Sequence, residues 1–105
     1  MADDKKVLKI AFDINGSLIH EGDPDYVDSK GEPLDSKPRF SVLNLYKALE
    51  LLDVDLYLWS AEGKTHAKLW RKRLGLKGKV VEKGSFEPDL AIDNKDDLGK
   101  ITLFV

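Results

Sequence analysis

The chain has 105 residues, 42% of them hydrophobic and 34% charged, a balance typical of one soluble globular domain with its own core. Seventeen Lys and Arg residues against nineteen Asp and Glu residues give a net charge of -2, so the overall charge demands neither nucleic acid nor an anionic membrane as a partner. The absence of cysteine excludes disulfides, thiolate chemistry and cysteine-based zinc sites, and two histidines, His20 and His66, are too few for a histidine-rich metal site.

The amino-terminal segment predicts no targeting signal. Its sequence, MADDKK, is polar and leads directly into the first strand, unlike a secretory signal or a transit peptide. No apolar run approaches the roughly 20 residues that a membrane-spanning helix needs. We therefore expect a cytoplasmic protein without a membrane partner.

The first predicted strand, Val7–Phe12, leads into a carboxylate. Asp13 follows the apolar run directly, and a turn at Asn15 and Gly16 comes next. In open α/β sheets, ligands bind outside the carboxyl ends of the strands, so we expect Asp13 at the mouth of a crevice. The structural alternative is that Asp13 only terminates the strand in an Asx turn.

A polar segment separates this strand from the first helix. Residues 20–38 are rich in Gly, Pro and Asp and predict a surface flap, with a hairpin around residues 29–32. A calcium loop is the alternative, but Val27 stands where a third ligand belongs and no closing Glu follows at the right distance. We therefore predict a solvated loop for the three aspartates concerned, Asp23, Asp25 and Asp28.

Helices and strands alternate along the rest of the chain. Helices are predicted where apolar residues recur at spacings of three and four, and strands where short apolar runs follow turn residues. Gly75 is the predicted C-cap of the second helix. The predicted elements are a helix over Arg39–Leu52, a strand over Val54–Trp59, a helix over Gly63–Leu74 and strands over Lys79–Glu82, Asp89–Asp93 and Ile101–Val105.

This order predicts a single three-layer α/β domain of the Rossmann-like type. Strands that alternate with helices are joined by right-handed crossovers, which give a mainly parallel sheet covered on both faces. The link over residues 94–100 is too short for a full helical crossover. We therefore expect the last strand to be an antiparallel edge strand, or to be reached by a single turn of helix.

A parallel sheet would collect a particular set of polar side chains at its carboxyl edge. The first strand delivers Asp13, the second Ser60, and the fourth Asp93 and Asn94, while Lys83 lies just beyond the third. A carboxylate can attack phosphorus, and a hydroxyl and an ammonium can bind the phosphoryl oxygens. Mg²⁺ prefers one or two carboxylates together with water and substrate phosphate. The set therefore suits magnesium-dependent phosphoryl transfer.

Four short segments also resemble the motifs of the haloacid dehalogenase superfamily. FDINGSL is similar to its first motif, usually Asp-x-Asp-Gly-Thr, and LWSAEG is similar to the second, a strand that ends in Ser or Thr. Lys83 matches the lysine of the third motif, and PDLAIDNK resembles the acidic fourth motif. The motifs cover nearly the whole chain in the right order. The short segment after the first motif resembles that of members without a cap domain.

The resemblance implies a magnesium-dependent phosphatase and assigns roles to individual residues. It makes Asp13 the nucleophile and a metal ligand, and it places Asn15 at a catalytic position whose backbone carbonyl also binds the metal. The remaining assignments are phosphate binding by Ser60, Ala61 and Lys83 and metal binding by Asp93 and Asn94.

Two positions depart from the family pattern. Asn15 stands where the family has the aspartate that acts as general acid and base, and an amide can do neither. Such catalysis is typically worth about 10² to 10⁴ in rate, so a plain phosphomonoesterase would be impaired. Asn94 stands where many small members have a second aspartate, which weakens the expected metal affinity. Ser17 in place of Thr is a mild change.

Each of these side chains also has a plain structural interpretation. Ser60 can be simply the N-cap of a helix, without a functional role. Lys83 competes for its role with other lysines of the same region. Four basic residues on the second helix form a stripe that is typically a solvated face. The two histidines fit ordinary surface or helix positions, and the two tryptophans fit the core. The competing lysines are Lys64, Lys77 and Lys79, the stripe is Lys64, Lys68, Arg71 and Lys72, and the tryptophans are Trp59 and Trp70.

Three functions follow from these observations. The leading hypothesis is a phosphatase that acts on a phosphorylated small molecule or macromolecule through an aspartyl-phosphate at Asp13. The alternative is a catalytically degenerate domain of the same fold that binds metal and a phosphorylated ligand or a protein, which Asn15 and Asn94 favour. The third is a phosphatase that processes nucleic-acid ends, for which the basic stripe and the open site argue.

Overall fold

Five strands and two helices form the regular structure of the protein. A computed structural model describes residues 7–21, 29–31, 37–94, 99 and 101–105. Residues 29–31 of the predicted hairpin form a turn, with Gly31 at a φ of 78°. Residue 32, the three aspartates of the rejected calcium loop and most of the last link lie outside the described residues. The elements are β1 (Lys9–Asp13), α1 (Phe40–Leu49), β2 (Asp55–Trp59), α2 (Lys64–Leu74), β3 (Lys79–Val80), β4 (Leu90–Asp93) and β5 (Ile101–Phe104).

All seven predicted elements are present, and two of them, α1 and β3, are shorter than predicted by two residues or more. Helix α1 ends at Leu49, three residues early, because Leu51 and Leu52 are 87% and 60% exposed and add nothing to its buried face. Strand β3 has two residues, not four. The prediction for Gly75 is confirmed: it has a φ of 66° and ends α2 in the left-handed conformation that favours glycine.

The sheet is parallel throughout, in the order β3-β2-β1-β4-β5. The chain moves outward from β1 to β2 and β3 and then returns past β1 to β4, so the strand order reverses between β1 and β4. A reversal of this kind opens a crevice at the carboxyl ends of the two strands, where ligands bind in open α/β sheets. The neighbours at this edge are Asp13 at the end of β1 and Asp93 at the end of β4.

The expectation of an antiparallel last strand is wrong. Strand β5 pairs with β4 in parallel, with Leu90 opposite Ile101 and Asp93 opposite Phe104. A link of seven residues spans at most about 23–25 Å, whereas a strand of four residues is only about 13 Å long. The link therefore suffices to bring the chain back along β4 without a full helical crossover. The predicted turn of helix falls mostly outside the described residues.

Both helices pack on the same face of the sheet. Residues that alternate along the strands point to this face, and the helices add residues such as Tyr46, whose ring lies edge-on to that of Phe12 at 4.8 Å. Successive right-handed crossovers in one direction require this arrangement. The buried residues of this core include Ile10, Phe12, Leu56, Leu58 and Ile92 from the strands and Val42, Tyr46, Ala67 and Trp70 from the helices.

The opposite face is covered by an irregular segment. Ala11, Trp59 and Ala91 form its buried patch, and Phe86 packs there with its ring 5.8 Å from that of Trp59. The sheet is therefore covered on both faces as expected, but the third layer is not helical among the described residues. Two alanines at this face leave a shallow surface that one aromatic side chain from the β3–β4 connection can cover. Neither helix of the described residues is long and apolar enough to cross a membrane.

Candidate functional site

Four polar side chains are buried at the carboxyl edge of the sheet. Asp13 and Ser60 are each 4% exposed, and Ser17 and Asp93 are fully buried. Asp13, Ser60 and Asp93 lie at or directly after the ends of β1, β2 and β4, and Ser17 lies in the turn that follows β1, so the fold concentrates buried polar groups near the point where the strand order reverses. Buried polar groups cost free energy unless they are paired, which makes such a concentration unusual for a purely structural edge.

Lys83 lies between the two buried aspartates. Its Nζ is 3.1 Å from Oδ1 of Asp13 and 2.9 Å from Oδ2 of Asp93, and its side chain is only 14% exposed. The segment after β3 therefore turns back toward the carboxyl edge and places an ammonium between the ends of β1 and β4. The competing lysines of the sequence, Lys64, Lys77 and Lys79, are exposed. Lys83 alone among these four lysines reaches the two carboxylates.

The surroundings of this cluster raise the pKa values of both Asp13 and Lys83, which favours the neutral form of the carboxyl and the charged form of the ammonium. Burial, reinforced by the charge of Asp93, raises the pKa of the Asp13 carboxyl from 3.8 to about 6, although Lys83 pulls it down. Burial alone would lower the pKa of the Lys83 ammonium, but its hydrogen bonds and the charges of both aspartates outweigh burial and raise it. Lys83 is therefore firmly charged, while Asp13 gains or loses its proton just below neutral pH.

The turn after β1 depends on glycine. Gly16 has a φ of 83°, and a Cβ added there would collide with the side-chain amide of Asn94. The carbonyl oxygen of Gly16 accepts a hydrogen bond of 2.6 Å from Arg39, whose guanidinium also donates to the carbonyl oxygen of Val105 at 3.3 Å. Arg39 thus ties the turn to the residue that follows β5. The sequence gives no signal for this contact.

Ser60 is not a helix N-cap. The N-cap of α2 is Gly63, three residues later, and it forms no side-chain capping bond. The Oγ of Ser60 accepts a 3.0 Å hydrogen bond from the backbone N–H of Glu62, which fixes the oxygen and leaves the hydroxyl proton available to a ligand. Ser60 and Ala61 both line the pocket in front of Asp13.

Asn15 makes a contact that sequence analysis did not anticipate. Its Oδ1 lies 2.6 Å from Nε2 of His66 on α2, and Nδ1 of the same ring lies 3.5 Å from Oε2 of Glu62. Because an amide oxygen can only accept, the His66 ring donates here. His66 lies on a helix, as expected, and its side chain also orients that of Asn15, which lines the pocket. His20 does not line the pocket.

The pocket in front of these groups is small. Its volume is about 80 Å³, far below the roughly 300–1,000 Å³ of sites that enclose a whole drug-sized ligand. It holds a group of phosphoryl size and leaves the rest of a substrate outside. Its lining residues are Asp13, Asn15, Glu21, Ser60, Ala61, Glu62, Lys83 and Asn94.

The charges of the lining residues favour a cation. Three are acidic, Asp13, Glu21 and Glu62, and only Lys83 is basic. No cluster of three or more His, Asp or Glu residues that could hold a metal exists in the described part of the chain. Mg²⁺ needs fewer, because water and phosphate complete its shell. Of the residues that the sequence assigns to Mg²⁺, Asp13, Asn15 and Asn94 line the pocket, whereas Asp93 is buried behind it and pairs with Lys83.

Comparison with known proteins identifies no relative. Neither a protein-family model nor a curated protein matches the sequence. The class that the fold defines is therefore an α/β domain with a five-stranded parallel sheet, compatible with a Rossmann-like fold, whose buried polar cluster lies at the switch point. Arguments about function rest on that cluster.

Proposed function

We propose that the protein is a magnesium-dependent phosphatase of the haloacid dehalogenase type that acts through an aspartyl-phosphate at Asp13. The observation that carries the proposal is the position of Lys83, whose ammonium lies within 3.1 Å of the Asp13 carboxylate and 2.9 Å of the Asp93 carboxylate at the mouth of the crevice. A cation held there neutralises the nucleophile and the incoming phosphoryl group together. The order of the four sequence motifs supports the same assignment.

The chemistry needs two steps at one carboxylate. An oxygen of Asp13 attacks phosphorus, the bond from phosphorus to the ester oxygen breaks, and the leaving alcohol takes a proton from solvent. Water then attacks the aspartyl-phosphate and releases inorganic phosphate and free Asp13. Lys83 and the hydroxyl of Ser60 stabilise the negative charge of the phosphoryl oxygens during both steps.

Magnesium would be held by the carboxylates of Asp13 and Asp93 and the backbone carbonyl of Asn15, with Asn94 at the rim. When bound, the ion supplies positive charge that offsets the acidic side chains of the pocket. This chain's own contribution is the buried pair of carboxylates, which are aligned by Lys83 before any ligand arrives.

A degenerate binding domain is the second candidate, and one contact favours it. His66 fixes the amide of Asn15 at 2.6 Å, so the side chain at the position of the usual acid is held in place yet cannot transfer a proton. A domain of this kind would bind metal and a phosphorylated ligand or protein without turnover.

The test is the formation of an acyl-phosphate mimic. The protein is incubated with Mg²⁺ and beryllium fluoride, and fluorine NMR is used to look for bound fluoride signals. We expect signals from the wild type and none from Asp13→Asn, which keeps the shape of the side chain and removes the nucleophile. Absence of a bound signal in the folded wild type would overturn the aspartyl-phosphate.

Thermal stability separates the two candidates from a purely structural cluster. Mg²⁺ is expected to raise the melting temperature of the wild type but not of Asp13→Ala, because a ligand stabilises only a protein that binds it. Bound fluoride signals together with turnover of aryl phosphates support the enzyme, and bound signals without turnover support the binding domain. Equal thermal shifts in both proteins would remove the proposed metal site.

A further inference from the structure

The positive charge of the protein is concentrated in one segment. Between residues 64 and 81 there are seven Lys and Arg residues and no Asp or Glu, whereas the remainder has ten basic and nineteen acidic residues. The net charge of -2 therefore conceals a strongly basic region within an acidic chain. We call this region the basic track; it consists of Lys64, Lys68, Arg71, Lys72, Arg73, Lys77 and Lys79.

The basic track lies on α2, on β3 and in the loop between them, and six of its seven residues are exposed while Arg71 is half-buried. Helix α2 buries Ala67 and Trp70 in the core and turns its basic side outward, and β3 is the edge strand beside it. Lys64, Lys68 and Lys72 recur every four residues and are all exposed. At about 1.5 Å of rise per residue, the three ammonium groups follow one another at intervals of about 6 Å along the helix.

These lysines are free of local partners. None of the three on α2 makes an ion pair with a carboxylate of the described residues, in contrast to Lys83. Seven basic residues without an intervening carboxylate repel one another, and a helix without i,i+4 acidic partners gains no stability from its charges. The arrangement raises the free energy of the isolated protein and lowers that of a complex with a polyanion.

The basic track begins at the pocket. Ser60, Ala61 and Glu62 line the pocket, and α2 starts two residues later at Lys64 and runs away from the carboxyl edge. A chain of phosphates lying along Lys64, Lys68 and Lys72 would therefore have one end next to the pocket. A pocket of about 80 Å³ admits one phosphoryl group, so the remainder of a long ligand has to lie on the outer surface.

We propose that the basic track binds the phosphate backbone of a nucleic acid strand. A membrane surface fits less well, because Ala67 and Trp70 of α2 are buried in the core and Leu69, 43% exposed, is the one large apolar residue of the helix that is exposed, which is too little to anchor it in a bilayer. The contacts would be to phosphate and carry no sequence information. Trp70, the aromatic residue of α2, is 9% exposed and has the Arg73 guanidinium 5.1 Å from its ring centroid, so it offers no stacking surface for bases.

This proposal does not depend on phosphatase activity. Binding to the track needs the exposed lysines of α2, whereas the proposed reaction needs Asp13, Lys83 and Asp93. The two can therefore fail separately. Asp13→Asn is expected to retain binding of nucleic acid while it loses the acyl-phosphate mimic.

The test compares two variants of equal charge. Lys64→Gln/Lys68→Gln/Lys72→Gln removes three charges from the track, and Lys9→Gln/Lys30→Gln/Lys37→Gln removes three exposed lysines elsewhere. Fluorescence anisotropy of a labelled single-stranded oligonucleotide is measured with the full chain over a range of salt concentrations, with DNA and RNA of the same sequence. We expect the track variant to bind at least tenfold more weakly at low salt and the control to bind like the wild type.

The salt dependence gives a second readout. The slope of log K against log[salt] is about -0.7 for each phosphate neutralised on a single strand, so loss of three contacts should reduce its magnitude by about 2. Equal weakening in both triple variants, or no binding by the wild type at low salt, would overturn the proposal. Tighter binding to phosphatidylserine vesicles or to polyglutamate than to either oligonucleotide would also overturn it.

Discussion

Lysines occupy two opposite environments in this protein. Lys83 is 14% exposed and lies within about 3 Å of two buried carboxylates, whereas Lys64, Lys68 and Lys72 are exposed and have no carboxylate partner in the described residues. Removing one member of a buried ion pair leaves an uncompensated charge, while an exposed cation contributes little to stability. A lysine therefore stabilises the fold where it is buried between carboxylates, and it is available to a binding partner where it is exposed.

The largest expected effect comes from removing the buried cation. Lys83→Met keeps the apolar stem but leaves Asp13 and Asp93 facing each other without an ammonium, and we expect a loss of about 3–5 kcal/mol in the free energy of unfolding. Urea denaturation at pH 8 with EDTA measures it, because Asp13 is then ionised.

A matched variant and a second substitution sharpen this result. Lys79→Met removes a lysine that is exposed on β3, and it should change stability by less than about 0.5 kcal/mol. Adding Asp93→Asn to Lys83→Met removes one of the two like charges and should recover part of the loss. Equal stability of the two single variants would contradict the ion-pair geometry.

The second effect is a pH dependence that belongs to Asp13. Its pKa is about 6 in the folded protein against 3.8 as the model-compound value, so the native state keeps a proton that the unfolded state loses between about pH 4 and 6. Stability from this group therefore falls as pH rises through that window and is constant above it. The change is up to about 3 kcal/mol.

The variant Asp13→Asn separates the contribution of Asp13 to this pH dependence from the contributions of other titrating groups. In EDTA, the variant should gain stability relative to the wild type by up to about 3 kcal/mol between pH 4 and pH 7, since its amide does not titrate. Chemical denaturation at several pH values gives the difference directly. A difference that stays constant with pH would show that burial and Asp93 do not raise the pKa of Asp13.

The third effect concerns the residue that His66 orients. Asn15→Asp introduces a side chain that can transfer a proton at this position, and under the proposed function we expect the turnover of an aryl phosphate to rise by about 10². The control variant Asn94→Asp adds the same charge at the rim of the pocket but places no acid at position 15. At saturating Mg²⁺ it should leave kcat unchanged. Unchanged or lower turnover in Asn15→Asp would contradict the assignment of Asn15 to the acid position.

The smallest effect is expected on the other side of the comparison. The triple variant Lys64→Gln/Lys68→Gln/Lys72→Gln should have a free energy of unfolding within about 0.5 kcal/mol of the wild type, because Gln keeps the helix propensity of Lys and no ion pair is lost. Any increase in the free energy of unfolding would come from removal of the repulsion between neighbouring lysines. A large loss in urea denaturation would mean that these lysines support the fold.

The sequence by itself determined the elements and the residues at their ends. Short apolar runs placed Asp13, Ser60 and Asp93 at strand ends, and the parallel sheet brings all three to one edge, because the carboxyl ends of parallel strands coincide. The sequence also predicted the C-cap at Gly75, because a glycine adopts the left-handed conformation that ends a helix more readily than other residues do. These features are local, or they follow from topology rules that hold for nearly all α/β domains.

Only the tertiary structure decided which distant side chains meet. His66 is 51 residues from Asn15 and Arg39 is 23 residues from Gly16, and neither pairing has a signal in the sequence. Lys83 was expected at this edge, but its position between the carboxylates of Asp13 and Asp93 was not. The direction of β5 and the irregular cover of the second face depended on the lengths of connections and on how much apolar surface the strands left bare. Such contacts arise when the whole chain minimises buried unpaired charge and exposed apolar area at once, so no single stretch encodes them.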